Sequence, residues 1–230
     1  MYLMYYKFSD SNYTKKVVNL QKKLRNLQMR FTPPKFIKKL IPSVIWNIGS
    51  DEAVYLTFDD GPTPEVTEWV LDKLAAYGAK ATFFCLGKNA EQYPDLHRKI
   101  VEGGHKVGNH TYSHQKGWGM SLERYVEDVD FANQILHSDL FRPPYGRITP
   151  TQAAVLSNRY NIILWDVLSR DYSRYVTPRS CVRNVIRHLR PGSVVVFHDS
   201  HKSFRNLRHA LPRVLEHIDR MGLRCETIDV

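Results

Sequence analysis

The sequence predicts an α/β fold with a parallel, fully buried sheet, and three observations carry that prediction. From Ala53 to Val230, short apolar runs rich in β-branched and aromatic residues alternate with longer stretches of helical period, giving about seven strand–helix units. The runs are continuously apolar, as in Ser193-Val194-Val195-Val196-Phe197, which is the pattern of strands covered on both faces. Polar clusters recur where those runs end. An α/β barrel and a doubly wound sheet both fit, and in both the chemistry gathers at the carboxyl ends of the strands.

Each element has its own signal. Ala53–Phe58 is short and apolar, and Asp59-Asp60-Gly61-Pro62 then breaks the strand and opens a turn. A helix is expected over Thr67–Tyr77, ended by Gly78. Lys80–Leu86 reads as a strand, Asp95–Glu102 as a helix closed by Gly103-Gly104, and Lys106–Asn109 as a short strand. Ser121–His137 is a helix with Ser121 as N-cap, although Arg124 stands where a capping box would place Glu. Leu140–Arg142 is a strand, Pro150–Asn158 a helix opened by its proline, and Ile162–Trp165 a strand. A helix over Pro178–Leu189, the strand Ser193–Phe197, a helix over Phe204–Arg220 and a last strand at Leu223–Ile228 complete the chain.

Charge divides the 230 residues unevenly: the net charge is +10, and residues 1–50 hold ten Lys and Arg against Asp10 alone, leaving about +1 for the remainder. We therefore divide the chain into a basic amphipathic N-terminal extension, 1–50, and a main domain, 51–230, that carries the polar clusters. Val17, Leu20, Leu24, Leu27 and Phe31 form an apolar stripe among lysines and arginines, ended by Thr32-Pro33-Pro34. Such a helix packs on its own domain, pairs with a partner helix or makes peripheral contact with an anionic membrane. Phe36, Ile37, Leu40, Ile41, Val44, Ile45 and Trp46 are expected to dock on the body. Nucleic acid is not an expected partner, because the body itself carries almost no basic excess. No segment reaches the ~20 apolar residues of a membrane span, and the first residues lack the pattern of a secretory leader. Compartment stays open between cell envelope and cytoplasm. Cys85, Cys181 and Cys225 are odd in number and widely spaced, and Cys85 lies in an apolar run, so buried free thiols are expected rather than a disulfide.

The candidate site is built from the polar clusters. Adjacent carboxylates at a buried strand end repel, so a cation should hold them there. Because strand side chains alternate, Asp59 and Asp60 should do different work. His110 and His114 are four residues apart, which on one helical turn faces both imidazoles the same way. Two histidines and a carboxylate, here Asp60, make a three-ligand zinc site with positions left for water and substrate. H-x-x-x-H alone is a weak signal, and its weight comes from the acidic pair at the same rim. Asp59 is then the general base, Arg142 the residue that keeps it ionised, and the Tyr145 N–H, after the stiff Pro143-Pro144, an oxyanion donor. His198 is the general acid, oriented by Asp171. Asp166 and Asp199 are divided evenly between supporting the site and capping loops. His97, His105, His137, His188, His201, His209 and His217 have no partner pattern and are read as surface or packing residues.

Thr57–Pro62, His110–His114, Arg142–Gly146, Trp165–Tyr172 and Val196–His198 resemble, in order and spacing, the five motifs of the polysaccharide deacetylase family, the NodB-type carbohydrate esterase family 4. The resemblance runs from Ala53 to the last residue. It implies a distorted (β/α)7 barrel, a divalent metal, usually zinc with cobalt, nickel or manganese as substitutes, and hydrolysis of N-acetyl or, less often, O-acetyl groups on sugar polymers. By position it gives Asp59 as base, Asp60, His110 and His114 as ligands, Arg142 as tether of the base, Tyr145 for the oxyanion, and His198 with Asp171 as acid and partner. Tyr172, Val196, Pro143 and Trp165 are the expected substrate-binding residues. The chain departs from the family with Tyr172 where Trp is frequent, Leu168 where Asp is frequent, and Val196 in place of Leu. No catalytic group is lost by these changes, which bear on the substrate. The expected activity is removal of N-acetyl groups from peptidoglycan- or chitin-like polymers of N-acetylglucosamine. The alternatives are an O-acetyl esterase on xylan-like polymers and an inactive carbohydrate-binding or membrane-associated module.

Overall fold

The computed structural model describes residues 43–230. The basic helix expected in the extension, and residues 36–42 of the apolar stretch behind it, lie outside the described residues. The elements are β1 (Val44–Ile45), β2 (Ala53–Asp59), α1 (Val66–Ala76), β3 (Thr82–Cys85), α2 (Gly87–Gln92), α3 (Pro94–Glu102), β4 (Lys106–Asn109), α4 (Leu122–Leu136) and β5 (Leu140–Phe141). A single 3-10 turn at Pro144–Gly146 follows, and then α5 (Pro150–Leu156), β6 (Asn161–Ile163), β7 (Val167–Leu168), α6 (Pro178–Ile186), β8 (Val194–His198), α7 (His201–Arg220) and β9 (Arg224–Cys225).

The strands form one parallel sheet in the order β1-β6-β5-β4-β3-β2-β8-β7, with β9 joined to β2. This order explains the curl. β6 and β7 lie near opposite ends of the sheet, yet only residues 164–166 separate them in the chain. Four backbone steps span at most about 14 Å, so the two ends must curve towards each other. The seam carries backbone bonds: Leu164 N–H donates to the Ile45 carbonyl (2.8 Å), Ile48 N–H to that of Gly192 (3.0 Å), and Asn47 bridges Ser193. The result is a curled, parallel (β/α) barrel with helices outside. β2, buried at all seven residues, is its centre, and Phe58 stacks between Phe83 (5.0 Å) and Phe197 (6.1 Å).

The expected strand Ile162–Trp165 is observed as β6 (Asn161–Ile163), whereas β7 falls in the stretch read as a loop after it and was not expected; between the two the chain leaves β5 and β1 and takes up pairing with β8. The last strand shrinks from Leu223–Ile228 to Arg224–Cys225, which pairs with Ala53 and Val54 of β2. α2 was not expected, and Val44–Ile45 pairs with β6 ahead of the anticipated start of the barrel. Ser121 does cap α4, accepting from Arg124 N–H (3.4 Å). Cys85, Cys181 and Cys225 are free thiols. No helix among the described residues is long and apolar enough to cross a membrane.

Candidate metal-centred active site

Asp59 ends β2, and Asp60 turns the chain out of the sheet at φ 80°, a left-handed conformation held by its surroundings. Asn89 of α2 donates to the Asp60 carbonyl (2.8 Å), and Asp199 accepts from Gly61 N–H (3.1 Å). A methyl group at Gly61 would collide with the Asp199 carboxylate, so glycine is needed there for the close approach. The two histidines come from the loop after β4. Their register is not a helical turn as expected: the loop doubles back through left-handed Thr111 (φ 66°) and His114 (φ 60°). Asn109 braces its start by accepting from Thr111 N–H (2.8 Å), and Asp128 of α4 accepts from Tyr112 N–H, Ser113 N–H and the Ser113 hydroxyl.

This loop brings one ligand atom each of Asp60, His110 and His114 within 4.8 Å of one another. Asp60 Oδ1 lies 3.7 Å from His110 Nε2 and 3.2 Å from His114 Nε2, yet it is buried and accepts no hydrogen bond. His110 Nδ1 lies 2.7 Å from the Arg142 carbonyl, which can only accept, so Nδ1 carries the proton and the Nε2 lone pair is left for the cluster. Burial pushes the His110 pKa down to about 4, so the ring is neutral, as a ligand must be. Burial works to raise the Asp60 carboxyl, but His114, His198 and His110 outweigh it and hold Asp60 well below the usual carboxylate range. Two imidazoles and a carboxylate whose buried oxygen is unbonded fit a divalent metal of the zinc type.

Beside the cluster, Arg142 is fully buried and bonded on every side. Nη1 donates to Asp59 Oδ1 (2.7 Å) and Thr57 Oγ1 (2.6 Å), Nε to the Ile163 carbonyl (3.2 Å) and Nη2 to that of Leu164 (3.1 Å). Its guanidinium carbon sits 3.9 Å from the Phe84 ring centroid. Burial lowers the Arg142 pKa, and Asp59 opposes the shift. Thr57 was not singled out from sequence. It stands two residues before Asp59 on one strand and so shares its face, a signal that was legible.

His198 ends β8 directly beside Asp59, its register partner. Asp171 holds it twice, accepting from the His198 backbone N–H (2.8 Å) and lying 2.8 Å from Nδ1. Burial disfavours the charged ring, but Asp171, with help from Asp60 and Asp59, prevails and pushes the pKa up to about 9. Asn206 of α7 steadies the loop by donating to the Asp171 carbonyl (2.8 Å). Asp199 is buried behind the carboxylate pair and accepts from the Thr67 hydroxyl (2.5 Å). Burial pushes its carboxyl up to about 8, with Thr67 opposing and Asp60 and Asp59 reinforcing the shift. Asp166 takes no part. It bonds Val194 N–H (2.9 Å) and Arg190 (2.6 Å) at the amino end of β8, away from the rim.

Tyr145 sits at φ 61° in the 3-10 turn, whose hydrogen bonds are donated by Gly146 and Arg147, leaving its own N–H to neither. Its ring lies 4.7 Å from His114, and that of Tyr172 lies 4.9 Å from His198. Pro143, Trp165 and Val196 are buried, so of the four expected substrate contacts only Tyr172 lends partly exposed ring surface. The Trp165 indole N–H is buried without an acceptor. Leu168 is buried in β7, a setting that suits an apolar side chain.

A parallel curled barrel with a candidate metal cluster, a carboxylate and a histidine at one rim defines a class of arrangement suited to metal-assisted hydrolysis. Comparison with known proteins gives the family. Residues 47–160 match the polysaccharide deacetylase model. A peptidoglycan-N-acetylglucosamine deacetylase of Bacillus cereus is 34% identical over 183 residues, 76% of this chain and 66% of that protein's length, and a second from the same organism is 31% identical, over 83% of this chain and 94% of its own. A crystal structure of a peptidoglycan N-acetylglucosamine deacetylase bound to an N-hydroxybenzamide superposes with TM-score 0.78 at 30% identity, covering 85% of this chain and 94% of that one. The chain belongs to the polysaccharide deacetylase family.

Proposed function

We propose that the chain removes N-acetyl groups from N-acetylglucosamine-containing polysaccharide or oligosaccharide, releasing acetate and a free amine, with a divalent cation held by Asp60, His110 and His114. The observation that carries the reading is the convergence of those three ligand atoms around an unbonded Asp60 Oδ1, with Asp59 and His198 on the adjoining strand ends. Zinc suits this donor set, and cobalt, nickel and manganese are the substitutes to test. When bound, such a cation supplies Lewis acidity, polarising a carbonyl and making water a better nucleophile.

The chain's own groups supply the rest. Asp59, fixed by its hydrogen bond from Arg142, takes the proton of the attacking water. The Tyr145 N–H, presented by a left-handed turn, donates to the oxyanion as the acetyl carbon becomes tetrahedral. His198 Nδ1 is bonded to Asp171, so Nε2 carries the proton that the departing sugar nitrogen receives. Tyr172 and the buried Val196, Trp165 and Pro143 are proposed to shape the sugar and acetyl pockets.

An amine leaves only when protonated, whereas an activated ester does not need the acid. His198→Ala should therefore reduce acetate release from N-acetylglucosamine oligomers by about 10²-fold or more, with a much smaller loss on aryl acetates. Equal losses on both would contradict the role given to His198. Acetate release from N-acetylglucosamine oligomers, peptidoglycan fragments and acetylated xylan, each with and without EDTA, separates the deacetylase from an O-acetyl esterase and from an inactive module. We further propose that the basic N-terminal extension ahead of β1 contacts anionic membrane, on the strength of its charge. Salt-sensitive binding to anionic liposomes is the check.

A further inference from the structure

Two lysines stand at the rim, one on each side of the candidate site. On the side of the metal ligands, Lys116 Nζ lies 5.1 Å from the Tyr145 ring centroid, and that ring in turn packs 4.7 Å from His114. On the side of the acid, Lys202 Nζ lies 5.8 Å from the Tyr172 ring, which packs 4.9 Å from His198. The sheet order separates the two groups, with Tyr145 following β5 and His114 following β4 on one side of β2, and β8 with Tyr172 on the other. The same arrangement repeats further out, with Arg147 over Trp118 (5.3 Å) and Arg174 over Tyr175 (4.8 Å), the latter ring 80% exposed.

Among the described residues, no carboxylate lies within ion-pair distance of Lys116, Arg147, Arg174 or Lys202. Four cations without a carboxylate partner, each seated on an aromatic ring, are free to meet negative charge on a ligand. A ring alone stacks on any sugar. A ring with an ordered ammonium beside it favours a sugar that carries negative charge, and the cation–ring contact holds the lysine in place before the ligand arrives.

We propose that Lys116 and Lys202 are specificity-determining residues for an acidic glycan, one in which the reacting N-acetylated sugar is flanked on both sides by carboxylate-bearing units. The inference rests on the deacetylase reading and narrows its substrate. The carboxylates come either from the neighbouring sugars themselves or from peptides attached to them.

The test compares neutral N-acetylglucosamine oligomers with peptidoglycan glycan strands of matched length, prepared with and without their stem peptides. Acetate release gives kcat and KM for the wild type, Lys116→Gln, Lys202→Gln and the double variant. Calorimetry on chelator-treated protein gives binding to the same strands. The wild type should prefer the acidic strand, with a preference that weakens as salt is raised. Each single variant should lower the acidic-to-neutral ratio of kcat/KM about 3-fold and the double variant about 10-fold, through KM rather than kcat, as expected for partly exposed ion pairs. Lys106→Gln, at the amino end of β4, should leave the ratio in place. A preference that survives peptide removal supports sugar-borne carboxylates, and one lost with the peptides supports the same clamp acting on peptide carboxylates. A ratio and a binding affinity unchanged in the double variant would overturn the proposal while leaving the deacetylase reading intact. Absence of acetate from every substrate, with lysine-dependent binding retained, would overturn the deacetylase reading alone.

Discussion

Arg142 shows how a residue can be structural and functional at once. Its guanidinium joins β2, through Thr57 and Asp59, to the carbonyls of Ile163 and Leu164, where the chain crosses the seam. Arg142→Met should therefore destabilise the fold by about 3–5 kcal/mol in urea unfolding, because the buried Asp59 carboxyl loses its partner. Adding Asp59→Asn should recover part of that loss, and a double variant no more stable than the single one would contradict the pairing. His198 makes a second prediction at this scale. Its pKa is raised to about 9 in the folded chain against about 6.5 unfolded, so its pair with Asp171 stabilises fully below about pH 6.5 and loses that effect as pH rises through about 9. Urea unfolding of chelator-treated protein should show this slope, and Asp171→Asn should flatten it. In the active enzyme the same substitution should move the alkaline limb of kcat/KM to lower pH, since burial alone favours the neutral ring. An alkaline limb and a slope both unmoved by Asp171→Asn would rule out this pairing as their cause.

Elements were legible where a local signal was strong and opaque where partners were remote. α4 begins at the Ser121 cap and β4 at Lys106, as the sequence implies, because capping and apolar runs are local. β7 stayed hidden in the stretch read as a loop after β6, since what makes it a strand is its pairing with β8. The loop carrying His110 and His114 was recognised for the wrong geometric reason: left-handed Thr111 and His114, not a helical turn, bring the rings together. β1 is a second example of a remote cause, since its two residues matter for the edge of β6 that they cover. A chain beginning at residue 51 should lose that cover and melt several degrees below one beginning at residue 43, about 2–4 °C for each kcal/mol lost. Equal melting temperatures would show that β1 contributes nothing to the seam.

At the scale of the molecule, the barrel places strand ends from distant parts of the sequence at one rim: β2 brings Asp59 and Asp60, β4 the histidine loop, β5 Arg142, and β8 His198. Order and spacing along the chain disclosed these groups because each lies just past an apolar run. Asn206 and Asp128 stayed hidden, and Asp199 was left between site support and loop capping, since their importance lies in bonds to Asp171, Ser113 and Gly61 across the fold. The account as a whole depends on Asp60, His110 and His114 acting as a metal site that the hydrolysis requires. The most direct measurement is metal content per chain, taken together with acetate release, for the wild type and for Asp60→Ala, His110→Ala and His114→Ala. We expect about one divalent ion per wild-type chain, removed by chelator together with activity and restored by zinc, and an affinity lower by at least about 10-fold in each variant. Undiminished acetate release from metal-free wild type, or full metal content in all three variants, would contradict the account.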